Sequence, residues 1–247
     1  MSKLIAKDLL AAGGHFGHRR SRFHPSVKPY IYTIREKMAI IDLDKTDDLV
    51  KKAIEFMKKI RQADGRILCV ATKERIADLV KETAIKIEEP YCWYRWIGGG
   101  LTNFEEAIKR NLRRLQQTRD RLLKEESFVT KREKMIEEKK LRRLEQLYGG
   151  MENLKQLPEA IFIVDPVREK TIFREAKSLD IPIVAIADTD ANLNHIDYPI
   201  VLNDDSVKAV EMVLKKIEEE LKKNSNHQET NSKQIKNSND QNPNVKN

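Results

Sequence analysis

AIFIVD at residues 160–165 and IPIVAIAD at residues 181–188 decide how this chain folds. Each run is apolar throughout instead of alternating, so it needs cover on both faces, as a strand does inside a parallel sheet between helical layers. The stretch between them, REKTIFREAKSLD, reads as the connecting helix. Outward from this pair the rhythm repeats. A short strand YPIVL and an amphipathic helix from Asp205 to Lys223 follow it. Upstream, RILCVA is another near-continuous apolar strand. It runs into the helix TKERIADLVKETAIKI, whose Ile76, Leu79, Val80 and Ala84 share one side and whose start is read as capped by Thr72. An earlier helix begins at Thr46 and Asp47, shows Leu49, Val50, Ala53, Ile54, Met57 and Ile60 on one face, and ends at Gly65. YIYTI and MAIIDL, separated by Arg35 to Lys37, suggest a hairpin. Leu4, Ile5, Leu9 and Leu10 mark a first amphipathic helix and not a cleaved leader. The expectation is a three-layer α/β domain.

The middle of the chain departs from this rhythm. From Phe104 to Tyr148 there is no glycine, no proline and no strand-like run. Two helical segments, about 102–124 and 130–148, are joined by ESFVT. Leu101, Phe104, Ile108, Leu115 and Leu122 recur at three and four residues, with Asn111 and Thr118 in the same seam, answered by Leu141, Leu144, Tyr148 and Met151. That stripe is too thin for a globular core and sufficient for an antiparallel coiled-coil hairpin. The expected domains are an α/β core from 1–101 and 152–223, a hairpin insertion at 102–151, and a disordered tail at 224–247, whose Asn, Lys, Ser and Gln offer no apolar face.

Charge narrows the function. The chain of 247 residues carries 47 Lys and Arg against 39 Asp and Glu, a formal charge of +8, which favours an anionic partner. The hairpin alone holds 14 basic and 9 acidic residues. Cys69 and Cys92 form no CxxC pair and read as buried thiols in a reducing compartment. No apolar run approaches the roughly 18 residues that span a bilayer.

The chemistry of catalysis is mostly missing. Glycines cluster at Gly13–Gly14, Gly98–Gly100 and Gly149–Gly150, yet none forms a dinucleotide fingerprint, a P-loop or a nucleophile elbow. The start of VATKER could hold a phosphate on free N–H groups beside Lys73 and Arg75, against the plainer reading of a helix cap. Asp188 and Asp204 follow apolar strands, where ligands gather in α/β sheets. If the histidine-rich loop GGHFGHRRSRFHPSVKPYI, 13–31, lies over that edge, His18, Asp188 and Asp204 could hold a divalent ion such as zinc. Against this stands the reading of the two aspartates as turn and helix caps. The metal set is also what a metal-dependent hydrolase or phosphoesterase would use.

A resemblance now joins these readings. GGHFGHRRSRFHPSVKPYIYTIREKMAIIDLDKT, RWIGGGLTNF, LPEAIFIVD, AKSLDIPIVAIADTD and IDYPIVLNDDS stand in the order and spacing of the bacterial-type small ribosomal subunit protein two family. The resemblance covers nearly the whole chain apart from the tail. It implies a flavodoxin-like α/β domain with an inserted coiled-coil hairpin and a structural role without enzymatic activity, required cofactor or small-molecule substrate. The partners it implies are small-subunit rRNA and neighbouring ribosomal proteins, including in many bacteria the large OB-fold-repeat protein. The place it implies is the cytoplasmic bacterial ribosome, with an organellar ribosome as the alternative. Two departures are visible: His24 precedes Pro25 where the family has an aromatic-Asn-Pro run, and Gly100 replaces a bulky residue in GGGL. Under this reading Arg19, Arg20, Arg22 and Lys28 are the expected rRNA contacts, with Arg113 and Arg114 secondary on the hairpin. Trp93 and Trp96 could stack bases, but Trp96 beside IGGGL reads better as a core anchor.

Overall fold

The computed structural model describes residues 4–124 and 130–222. Its centre is a five-stranded, wholly parallel sheet in the order β5-β4-β6-β7-β8, made of β4 (Ile67–Val70), β5 (Tyr91–Cys92), β6 (Ala160–Val164), β7 (Ile183–Ala187) and β8 (Tyr198–Val201). The two runs that open the analysis are neighbours, with Ile161 opposite Ile183 and Val164 opposite Ile186.

Every side chain of β4, β6 and β7 is buried, for the reason the composition gives: alternate residues enter two separate cores. Ile67, Cys69, Phe162 and Ile186 pack under α1 (Leu4–Ala11), α2 (Leu43–Gln62), α3 (Glu74–Lys86) and a last helix, α7, at 207–222. Leu68, Val70, Ile161 and Ile163 face the opposite side, under α6 (Lys170–Ser178) and the roots of α4 (Arg110–Leu123) and α5 (Lys131–Tyr148). Fully burying one such aliphatic side chain is worth about 1.5–3 kcal/mol.

A second sheet, β1-β3-β2, is antiparallel, with β1 at Phe16–Arg19, β2 at Ile31–Arg35 and β3 at Met38–Ile41. The expected hairpin turns on Glu36 and Lys37, both at positive φ, the tight two-residue turn that suits the twist of its strands. Two boundaries are corrected. Phe16–Arg19 of the histidine-rich "loop" is the strand β1, because its backbone finds a ladder on β3. α2 starts three residues before Thr46, since the Asp42 carboxylate already accepts from the Lys45 N–H at 3.4 Å.

α4 follows a π-helical turn at Glu105–Lys109 and packs against α5. Arg119 meets Glu145 at 3.0 Å while Arg121, farther along α4, meets the earlier Glu137 at 4.0 Å, so the two helices run antiparallel. Thr130 caps α5 through the Glu133 N–H. The tail 224–247 and most of ESFVT lie outside the described residues. Besides the apolar contacts of Ile108, Tyr148 and Met151, a buried carboxylate, Glu175 on α6, ties the start of the helix pair to the sheet. It accepts from Trp96 Nε1 at 3.1 Å, Gly99 N at 2.8 Å, Leu101 N at 2.8 Å and Thr102 N at 3.4 Å. Trp96 is therefore the core anchor its context suggested. It lies so close to Gly100 that a Cβ there would run into the indole, which leaves no room for a side chain at that position.

Candidate nucleic-acid interface

The strand order reverses between β4 and β6, and in doubly wound sheets of this order ligands bind in the crevice at the carboxyl ends of such a pair. Here the crevice is filled by the chain's own charges. Lys73 reaches Asp204 at 2.8 Å, Asp205 at 2.6 Å and Asp165 at 3.7 Å. The Thr72 N–H and hydroxyl both donate to the buried carboxylate of Glu169. Thr72 therefore does not cap α3, whose N-cap position is Lys73 without a side-chain hydrogen bond. The alternative phosphate role for Lys73 also fails, because its ammonium is committed to three carboxylates.

Those carboxylates outnumber their cation, and the electrostatics follow. Burial, then the neighbouring charge of Asp165, lifts the Asp204 carboxyl to about 7 against the pull of Lys73, while the hydrogen bond from Lys73 holds Asp205 below the usual range. A raised carboxyl pKa in the folded state means that ionising Asp204 costs stability: the penalty grows as pH climbs from about 4 to about 7 and acid relieves it. Lys73→Met leaves this cluster without its counter-charge. The expected cost is about 3–5 kcal/mol at pH 8, falling to about half of that at pH 5.5, where Asp204 holds a proton. Denaturant titration at the two pH values measures it, and a cost that does not shrink in acid would count against this electrostatic account.

His18, Asp188 and Asp204 do converge on one edge, as expected, but not as a ligand set. His18 Nδ1 stands 3.0 Å from Asp188 Oδ2, close enough for an ion pair. Burial lowers the imidazole pKa, and Asp188, through its charge and its side-chain hydrogen bond and helped by the charges of Asp190 and Asp204, outweighs it, so the net shift is upward. Asp188 also accepts from the Thr189 N–H, and Asp204 is taken by Lys73. Among the described residues no three His, Cys, Asp or Glu side chains are placed to hold a metal ion, so the zinc expectation finds no support.

What the edge does instead is position β1. A Cβ on Gly17 would fall 2.5 Å from Thr189, so only glycine lets β1 approach the end of β7 this closely. Thr189 fixes that approach from both sides, with its hydroxyl accepting from His18 N at 2.8 Å and its carbonyl from His24 N at 2.8 Å. His24 Nδ1 meets Ser26 Oγ at 2.8 Å and caps the 3-10 turn Pro25–Tyr30, a local role for the residue that departs from the family pattern.

The consequence is a row of free cations. Arg19, Arg20, Arg22 and Lys28 are all exposed, and among the described residues none of their side chains carries an ion pair or hydrogen bond. The helix pair differs. Lys109, Arg110, Arg119, Arg121 and Lys140 are engaged by Glu105, Glu106, Glu145, Glu152 and Glu137. Arg113 lies 4.0 Å from Glu105 with most of its side chain in solvent, and Arg114 is exposed without an ion pair. The sequence reading missed Glu169, at the N-cap position of α6, and Glu175, on its buried face, since a buried carboxylate looks in sequence like any surface acid; only their neighbours in space reveal them.

The site thus joins a crevice closed by internal ion pairs to an exposed row of unpartnered cations on an α/β body. In comparisons with known proteins, the model of the family described as Ribosomal protein S2 matches residues 9–224. The chain is 38% identical over 226 residues to the small ribosomal subunit protein uS2 of Wigglesworthia glossinidia brevipalpis, covering 90% of this chain and 92% of that one. This chain belongs to the ribosomal protein S2 family, a structural family of the small ribosomal subunit and not an enzyme family, and the hydrolase alternative has no support. Among the described residues no helix is long and apolar enough to cross a membrane.

Proposed function

We propose that Arg19, Arg20, Arg22 and Lys28 form the main grip of this protein on small-subunit rRNA, with Arg113 and Arg114 as a lesser contact. The observation that carries this is the contrast above: all four cations on and after β1 are exposed and unpartnered, whereas on the helix pair Lys109, Arg110, Arg119, Arg121 and Lys140 are engaged by the protein's own acids. Free guanidinium groups displace counterions from phosphates, and a rigid sheet edge suits a folded RNA recognised by shape and backbone. In this reading the chain is a flavodoxin-like body, 1–101 and 152–223, with 102–151 inserted as a coiled-coil hairpin. It works on the bacterial cytoplasmic ribosome, without a small-molecule substrate.

Its protein neighbours include the large OB-fold-repeat protein that the family resemblance implies. Support for a protein contact comes from the same antiparallel sheet, where Phe16, Tyr32, Ile34 and Met38 leave apolar surface in solvent, Tyr32 as much as 76% exposed. Sedimentation of the tagged full chain in a cell extract tests the assignment. Co-migration with free small subunits and whole ribosomes at moderate salt is expected; a free peak alone would overturn it.

A further inference from the structure

Trp93 is an aromatic residue outside both cores and the proposed rRNA grip. It is half-buried on the wall of a cleft of about 420 Å³ between α3, β5 and the end of α5, within the size range of small-ligand sites. The Lys81 ammonium lies over its ring at 4.2 Å from the centroid. Two of the cleft's carboxylates, Glu145 and Glu152, are already held by Arg119 at 3.0 and 2.8 Å. Arg142 and Gln146 are exposed on the rim, and among the described residues neither Arg142 nor Lys81 has an acidic partner. The cleft therefore combines an indole, a hydrogen-bonding amide and two uncommitted cations around neutralised acids.

We propose that this cleft receives a single unstacked nucleotide of the rRNA, its base on the Trp93 indole and its phosphate between Arg142 and Lys81. The proposal rests on the rRNA-binding reading given above. In the free protein Lys81 covers the indole; an incoming base takes that place, and the displaced ammonium turns to the phosphate. Stacking on an aromatic face tolerates any base, so the cleft selects an unpaired nucleotide and not a sequence. An acidic peptide would meet the same cations but gain nothing from the indole beyond burial.

The protein carries its own probe. Trp93 and Trp96 are its two tryptophans, and Trp96 is buried against Glu175, so quenching by an added ligand reports on Trp93. Hexa-adenylate RNA titrated into the full-length chain is expected to quench fluorescence saturably. Arg142→Ala should weaken the apparent affinity about tenfold, while Arg19→Ala/Arg20→Ala/Arg22→Ala retains the quenching. Arg142 is exposed, and an unchanged circular dichroism spectrum confirms that its variant is folded. No saturable quenching, equal affinity in Arg142→Ala, or hexa-glutamate binding as tightly as the RNA would each overturn the proposal. If the wild-type chain joins small subunits yet shows no quenching, the cleft assignment falls alone; if it also fails to join them, the rRNA reading falls first.

Discussion

Glu175→Ala is expected to destabilise the protein by about 4 kcal/mol, because it strips four N–H donors of their shared acceptor in a water-poor site. The donors belong to the segment that leads from β5 into α4. The loss therefore falls on the joint between the helix pair and the sheet, and Trp96 loses its only polar partner among the described residues. Glu175→Gln is the informative companion. It keeps one acceptor oxygen but turns an amide toward N–H groups, so it should recover no more than about half of the loss. Denaturant midpoints of the two variants and the wild type measure this. A cost under about 1 kcal/mol for alanine would mean that water reaches these donors and that the carboxylate does not hold the joint.

Replacing Arg19, Arg20 and Arg22 together with alanine is expected to cut incorporation into small subunits at least tenfold at physiological salt, with no more than about 0.5 kcal/mol change in stability per site. The two expectations belong together: side chains without an intramolecular partner support nothing in the fold, so their removal should register in binding alone. Arg113→Ala/Arg114→Ala should have a smaller effect, because Arg113 already lies near Glu105. Quantitative sedimentation of tagged variants against wild-type competitor measures the effect. Normal incorporation of the triple variant would remove the β1 strip from the interface.

Much of the fold was legible in the sequence for a specific reason. AIFIV and IVAIA are apolar at every position, and the alternation of such runs with amphipathic helices leaves little choice but a covered parallel sheet. β5 was harder, because a two-residue strand carries no pattern; Tyr91 and Cys92 pair with Cys69 and Val70 only because the chain leaving α3 passes the edge of β4. β1 hid behind glycine and histidine, residues that mark loops, and became a strand because β3 offered it hydrogen bonds.

The site was legible in part. Residue type and exposure could be guessed for Arg19, Arg20 and Arg22, since arginines in a glycine- and proline-punctuated stretch have nowhere to be buried. The commitments of Lys73 could not. Its partners Asp165, Asp204 and Asp205 are far away in sequence, and without them a phosphate role at a helix start stayed open beside the plainer reading of a cap. The same contacts explain why the zinc alternative finds no support: one of its three donors, Asp204, already has an ammonium.

The central claim is that unpartnered cations on and after β1, and not the crevice at the strand-order reversal, hold the RNA. The dependence of affinity on salt tests it most directly, by titrating small-subunit rRNA with the full chain across a range of salt concentrations. For Arg19→Ala/Arg20→Ala/Arg22→Ala the slope of log affinity against log salt should flatten by about 2 to 3, close to one unit for each phosphate that the variant leaves unneutralised. An unchanged slope in the triple variant would contradict the account.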